Sequence, residues 1–125
     1  MEQVGFKFGD SRQLNEQLLS LVRSGAKTAT CGALRDFDEG GEAMPVVGRR
    51  DIALDWDENP ALLIETVEVT TCRFRDVPED FALAEGEGSF EDWQQGHIAF
   101  FTRNGGFDPD MMLVCERFRL VEVLA

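Results

Sequence analysis

The chain contains little cysteine and almost no histidine. Its three cysteines are Cys31, Cys72 and Cys115, and its one histidine is His97. An odd number of widely separated cysteines is a poor disulfide framework. No two of these side chains have the sequence spacing of zinc ligands, which argues against a structural zinc site. We therefore expect reduced thiols packed in or near the core, and no bound metal or cofactor.

Positive charge and long apolar runs are also scarce. The net charge is -12 at pH 7 and the isoelectric point is near 4.4. Nucleic-acid binding depends on lysine and arginine contacts to phosphates, so a long phosphate-binding surface is disfavoured. No apolar run reaches the roughly 18 residues of a membrane-spanning helix, and the first residues lack the pattern of a signal peptide. We expect a cytoplasmic protein without membrane contact.

Helical periodicity and capping residues predict three helices. Residues 10–24 carry a leucine stripe at helical spacing, with Asp10 as the expected N-cap and Gly25 as a left-handed C-terminal cap. Residues 77–83 predict a short helix with proline in its first turn. Residues 89–102 predict a longer helix in which Ser89 and Asp92 form a capping box.

The remaining segments predict strands. These are residues 27–31, 51–54, 61–75 and 111–124, and the second and third should form a hairpin across a turn-rich link. Residues 35–41 predict a loop. Strands and helices do not alternate regularly, so a doubly wound parallel sheet is disfavoured. We predict one domain over residues 1–125 with an α+β fold: a mainly antiparallel β-pseudobarrel with helices flanking a cleft.

Two short motifs carry chemical groups. Residues 24–30, Ser-Gly-Ala-Lys-Thr-Ala-Thr, place an amine and two hydroxyls just after the first helix. Residues 84–93, Ala-Glu-Gly-Glu-Gly-Ser-Phe-Glu-Asp-Trp, place two carboxylates in a glycine-rich turn before another helix. Together they provide an amine, a hydroxyl and a carboxylate, which are the parts of a small hydrolytic site.

Three further segments belong to the same pattern, namely residues 45–48 (Pro-Val-Val-Gly), 64–69 and the C-terminal run at 110–118. Together with the two motifs, they resemble the ASCH domain superfamily over nearly the whole chain. The resemblance implies a PUA-like fold with a cleft beside the first helix. It also implies a role with modified nucleosides or RNA. One bacterial branch hydrolyses the amide of N4-acetylcytidine to cytidine and acetate. Other members resemble RNA-binding modules, and another type is associated with ribonuclease action.

The amidohydrolase branch uses a lysine, a threonine and a glutamate. By this resemblance its Lys-x-x-Thr pattern falls on Lys27 and Thr30, and its glutamate falls on Glu87, with Glu85 as the alternative. The further residues that we expect to bind substrate are Thr28, Glu85, Trp56 and Arg35. Trp93, Phe100 and Phe101 are expected in the core, and His97 is expected to be a partly buried helix residue.

Geometry sets a condition on this site. A threonine hydroxyl needs an adjacent base to act as a nucleophile. In a regular strand, positions 27 and 30 point to opposite faces. Lys27 and Thr30 can therefore act together only if Lys27 lies in the irregular segment after Gly25. Backbone N–H groups of the turn at residues 85–88 are the expected oxyanion donors.

Three functions remain open from sequence. The first is an amidohydrolase that acts on a small acylated nucleoside. The second is a module that binds RNA or a modified nucleotide through a basic patch around the cleft. The third is a ribonuclease that uses Lys27 with a carboxylate or hydroxyl. The oligomeric state, monomer or homodimer, is open.

Overall fold

The structure, a computed structural model, describes residues 2–37 and 41–125. Within these residues, three α-helices and five strands follow one another, with two short 3-10 turns, Leu34–Phe37 and Phe74–Asp76. The helices are α1 (Arg12–Ser24), α2 (Glu79–Ala84) and α3 (Phe90–Arg103). The strands are β1 (Gly5–Lys7), β2 (Ala29–Ala33), β3 (Arg50–Leu54), β4 (Pro60–Arg73) and β5 (Met112–Val123). Part of the loop predicted at residues 35–41, namely 38–40, lies outside the described residues.

The strands form one mixed sheet in the order β1-β3-β4-β5-β2. β1 pairs with β3 in parallel, and every other neighbouring pair is antiparallel. The β3–β4 hairpin confirms the pairing predicted from sequence. Register shifts in the long β4–β5 ladder mark bulges, which bend and twist strands. The predicted α+β pseudobarrel-like fold is confirmed, as an open sheet whose edges are β1 and β2.

Two hydrophobic cores cover the sheet. One lies under α2 and α3 and is built around Trp93, which stacks on Phe74 with ring centroids 5.3 Å apart. The other lies under α1 and contains Leu18, Leu19, Val22, Phe8, Ile64 and Phe118. The leucine stripe of α1 is therefore a core-facing stripe, as its periodicity predicts. Within the described residues, no helix is long and apolar enough to cross a membrane.

The helix ends follow the sequence signals, with two corrections. α2 begins at Glu79 with Pro78 as its N-cap, so the proline precedes the first turn in which it was predicted. The N-cap of α1 is Ser11, whose hydroxyl accepts from the Leu14 amide, and not the predicted Asp10. Asp10 instead accepts hydrogen bonds from Arg103 and Asn104 at the far end of α3. A sequence-local cap rule could not anticipate this partner, because it lies 93 positions away. The other two predictions are confirmed: Gly25 closes α1 at φ 85°, and α3 begins with a full capping box.

Candidate active site

Lys27 lies in the irregular segment between α1 and β2. Its backbone N–H still donates to the Leu21 carbonyl at 3.0 Å, and β2 begins only at Ala29. The condition set by strand geometry is therefore met. The side chain is almost completely buried, with a relative exposure of 2% for the residue. Its Nζ donates to the Ala29 carbonyl at 2.8 Å and to Glu85 Oε1 at 3.2 Å. These two partners leave the third N–H of the ammonium available to a ligand.

Glu85 is the carboxylate that contacts Lys27. It ends α2 and is 1% exposed. Its second oxygen, Oε2, accepts a hydrogen bond from Trp93 Nε1 at 2.8 Å. Burial by itself raises the pKa of Glu85, but the Lys27 charge, the His97 ring 3.6 Å away and the Trp93 hydrogen bond outweigh it and lower the pKa to about 2. Glu85 is therefore a fixed carboxylate that orients the lysine.

Glu87 and His97 form a second titrating pair beside this one. His97 Nε2 lies 3.6 Å from Glu85 Oε2 and 3.9 Å from Glu87 Oε2. Burial opposes the charged imidazolium, but the two carboxylates prevail and raise the pKa of His97. Burial also raises the pKa of Glu87, only partly countered by Lys27 and His97. Glu87 thus holds a proton more readily than Glu85 does.

Glycine allows the carboxylate turn to pack against the exit of α1. Gly86 has φ +78°, and a Cβ added there would stand 2.6 Å from the Ala26 carbonyl oxygen. The Thr28 amide donates to the Ala84 carbonyl at 2.8 Å and joins the two segments. The predicted oxyanion donors are corrected in part, because the amides of Glu85 and Gly86 already bond the Ala82 and Leu83 carbonyls.

A cavity of about 570 Å³ opens onto these groups. Lys27, Thr30, Glu85, Glu87 and His97 all line it. Its apolar wall comes from the segment around β1, from α1, from the turn after β2 and from α3, and includes Phe6, Phe8, Leu14, Leu18, Phe37 and Phe100. The volume lies within the roughly 300–1,000 Å³ of ordinary small-molecule sites.

A further polar part of the cavity lining is centred on Glu116. Thr30 is the register partner of Glu116, so these two side chains share one face of the sheet. Glu116 accepts a hydrogen bond from Thr66 Oγ1 at 2.6 Å. Next to it, Arg49 Nε donates to Asp51 Oδ1 at 2.8 Å. Burial raises the pKa of Glu116, although the Thr66 hydrogen bond lowers it in part.

Several predicted binding residues lie away from this cavity. Thr28 is exposed and does not line it. Trp56 lies under the Lys7 ammonium, 4.9 Å from Nζ to the ring centroid. Arg35 donates to the carbonyls of Asn104 and Gly106 and borders a separate, smaller pocket. The structure thus brings together Lys27, Thr30 and both glutamates, and places the other three elsewhere.

Other cavity residues were not predicted from sequence. The Thr66–Glu116 hydrogen bond joins positions 50 apart, and no local pattern signals it. Cys31 lines the cavity as well, and burial together with the nearby Glu85 carboxylate raises the pKa of its thiol well above the usual value. His97 had a readable signal, because it follows Trp93 by four positions and stacks on that ring at 4.4 Å.

The low pKa of Glu85 predicts a pH-dependent contribution to stability. A carboxyl group whose folded-state pKa is depressed stabilises the fold above its unfolded value and loses that contribution as the pH falls. For Glu85 the window runs from the ordinary 4.5 down to about 2. We expect the difference in unfolding free energy between the wild type and Glu85→Gln to shrink across this window, in urea titrations at several pH values. A difference that stays constant would contradict the assignment.

The fold and the site define a class: a small α+β pseudobarrel domain with a buried amine–carboxylate pair in a cleft beside its first helix. The chain belongs to the ASCH domain family, whose sequence model matches residues 5–122. No curated protein matches the chain closely enough to count as a relative.

Solved structures agree with the family assignment. An ASCH domain from Lactobacillus crispatus JV V101 is 33% identical, with a TM-score of 0.85; the match covers 95% of this chain and 79% of that one. A protein from Enterococcus faecalis V583 is 37% identical, with a TM-score of 0.86, over 98% of this chain and 78% of that one. An ASCH protein from Zymomonas mobilis is 8% identical, with a TM-score of 0.56, over 93% of this chain and 64% of that one, and shares the fold alone.

Proposed function

We propose that this protein is a small amidohydrolase that removes the acyl group from an N4-acylated cytidine nucleoside such as N4-acetylcytidine. The observation that carries the proposal is the buried Lys27–Glu85 pair, which lines the same cavity as the Thr30 hydroxyl. Membership of the ASCH family supports the substrate class, because the resemblance that identified the motifs includes an amidohydrolase branch. No bound metal or cofactor is needed for the steps below.

The charge distribution favours a small neutral substrate over RNA. Most lysines and arginines already form ion pairs with carboxylates, namely Lys7, Arg12, Lys27, Arg49, Arg50, Arg75, Arg103, Arg117 and Arg119. A phosphate-binding surface needs cations that exchange counterions for phosphates. Cations that are already neutralised supply little of that driving force. The cavity, by contrast, offers aromatic surface for a base and polar groups for a ribose.

The proposed reaction begins at Thr30. The base is the uncharged Lys27 amine, formed when the resting ammonium releases a proton to water. The Thr30 hydroxyl oxygen attacks the acyl carbon while this amine takes up the hydroxyl proton. The ammonium formed in this way lies beside the new oxyanion and stabilises it, with Glu85 holding the ammonium in place. This arrangement assigns the orienting role to Glu85, the alternative considered from sequence, rather than to Glu87.

Glu87 then serves the leaving group. Its raised pKa lets it hold a proton that passes to the cytidine N4 nitrogen as the carbon–nitrogen bond breaks. Cytidine leaves, and the acyl group stays on the Thr30 oxygen. Water then attacks this ester and gives one proton to Glu87, while the Thr30 oxygen leaves with the proton held by Lys27. Acetic acid departs as acetate and a proton, and the Thr30 hydroxyl, the Lys27 amine and the Glu87 acid are restored.

The direct test is turnover of N4-acetylcytidine by the purified wild type, followed by chromatography of cytidine and acetate. The proposal expects both products in equal amounts, with no change in a short RNA incubated in parallel. No cytidine at high enzyme concentration would refute the proposal. Cleavage of the RNA instead would favour the ribonuclease alternative.

Two threonines of one motif supply a matched pair of variants. Thr30 lines the cavity, whereas Thr28 is exposed outside it. We expect Thr30→Val to lower kcat/KM for N4-acetylcytidine by at least about 10²-fold, since it removes the proposed nucleophile. Thr28→Val should stay within about threefold of the wild type, which corresponds to less than about 0.7 kcal/mol. Equal losses in both variants would contradict the role of Thr30.

A further inference from the structure

Three metal-ligating side chains meet at one end of the cavity. They are Cys31 on β2, Glu85 at the end of α2 and His97 on α3. One ligand atom from each, the cysteine Sγ, a carboxylate oxygen and a histidine ring nitrogen, lies within 4.8 Å of the other two. The three residues are far apart in sequence, so only the fold brings them together. The mechanism proposed above uses neither Cys31 nor His97.

Two of the three side chains, His97 and Glu85, are held in orientation by contacts with a neighbouring residue, as metal-binding side chains commonly are. His97 Nδ1 lies 2.9 Å from the Trp93 carbonyl, which favours a proton on Nδ1. Nε2, which faces the carboxylates, is then the nitrogen that can bind a metal after it gives up its own proton. A backbone carbonyl in this position is a usual partner of a metal-bound histidine. Glu85 Oε2 is held by Trp93 Nε1, so its orientation is fixed as well. A single tryptophan thus positions two of the three ligands.

We propose that Cys31, Glu85 and His97 form a binding site for Zn²⁺ or a similar thiophilic divalent cation. One sulfur, one oxygen and one nitrogen are ligands that suit zinc. Bond lengths of about 2.0–2.3 Å place tetrahedral ligands roughly 3.3–3.8 Å apart, so the side chains need to close by about 1 Å. Glu87 Oε2, which is 3.9 Å from His97 Nε2, is positioned to become the fourth ligand.

The lysine does not block this site, because it uses the other carboxylate oxygen. Lys27 Nζ contacts Glu85 Oε1, whereas the histidine faces Oε2. The charges also balance: a thiolate and two carboxylates carry three negative charges, and a divalent cation with the Lys27 ammonium carries three positive ones. Buried charges are tolerated when they are compensated in this way. The thiol gives up its proton to bind the metal, as zinc-bound cysteines do.

Co²⁺ serves as a spectroscopic probe of the proposed site. We expect Co²⁺ added to the reduced wild type to produce an ultraviolet thiolate-to-cobalt absorption band, which Zn²⁺ abolishes by displacement. Cys31→Ser should remove the band. His97→Gln removes a direct ligand and should weaken Co²⁺ binding by at least the roughly 10-fold that loss of a partner supporting a ligand already costs. Cys72→Ser is the control: its thiol lies outside the cavity lining and should leave the band unchanged.

A second measurement needs no variant. Saturating Zn²⁺ should protect Cys31 of the wild type from alkylation, as read by mass spectrometry of its peptide, while Cys72 stays as reactive as without metal. No thiolate band in the wild type, or no protection of Cys31, would overturn the proposal. Loss of the band in a folded Cys72→Ser would also overturn it, by placing the metal elsewhere. These are binding readouts, so they stand whether or not the protein hydrolyses N4-acetylcytidine.

Discussion

Replacing Lys27 with methionine is expected to lower kcat for N4-acetylcytidine hydrolysis by about 10²–10⁴-fold, the usual contribution of a positioned proton-transfer group. Methionine keeps much of the length of the buried side chain but removes the amine. The loss should appear mainly in kcat, because in the proposed mechanism Lys27 exchanges a proton with the reacting hydroxyl and stabilises charge that develops only in the transition state. Steady-state kinetics with chromatographic detection of cytidine measures it.

Arg12 provides the control for this variant. Its guanidinium forms an exposed ion pair with Asp57, at 2.7 Å. Arg12→Met removes the same unit of charge from the chain and should leave kcat within about threefold of the wild type, or less than about 0.7 kcal/mol in activation free energy. Should Lys27→Met retain wild-type kcat, the proposed role of the lysine is wrong. Circular dichroism of each variant shows whether an inactive sample is folded.

Removing the carboxylate of the buried Lys27–Glu85 ion pair is expected to have the largest effect on stability. Glu85→Gln removes the negative charge that faces the buried Lys27 ammonium, and the amide offers one acceptor oxygen where Glu85 accepts at two, from Lys27 and from Trp93. Removing one member of a buried pair typically costs about 3–5 kcal/mol, since the other charge stays uncompensated. The whole free energy of unfolding of a domain is about 5–15 kcal/mol. We therefore expect Glu85→Gln to lower the urea midpoint strongly.

Glu87 is the matched comparison for this substitution. The Glu87 side chain is 25% exposed, and its Oε2 forms its ion-pair contact with His97 and not with Lys27. We expect Glu87→Gln to change the unfolding free energy by less than about 1 kcal/mol. The double variant Lys27→Met with Glu85→Gln should recover much of the lost stability, because it removes both buried charges. Equal destabilisation by Glu85→Gln and Glu87→Gln would refute the buried pair.

Local signals in the sequence anticipated most of the elements. The stripe of α1, the left-handed Gly25 and the Ser89–Asp92 capping box depend on residues within one or two turns of each other, so their physics is readable along the chain. β1 was not predicted. It is three residues long, too short to show an alternating pattern, and it exists because it pairs with β3.

The residue types of the candidate site were anticipated from sequence, and the carboxylate that contacts Lys27 is Glu85, the alternative to Glu87. Lys27, Thr30 and a glutamate of the glycine-rich turn do share one cavity. Whether Glu85 or Glu87 meets the lysine depends on how the turn packs against the exit of α1, where Gly86 approaches the Ala26 carbonyl. Trp56 and Arg35 were plausible by residue type, but the packing of β1 and the end of α3 holds them elsewhere.

By itself, the sequence determined the α+β class, the family and the chemical groups of the site, because periodicity, capping and motif spacing act over short distances. Only the tertiary structure decided which charges are buried together. Lys27 and Glu85 are 58 positions apart, and Cys31 and His97 reach the same carboxylate from two further elements. Burial and electrostatic coupling arise when separate segments pack together and exclude water from between them. A pattern along one segment therefore does not show which charged groups will be buried together.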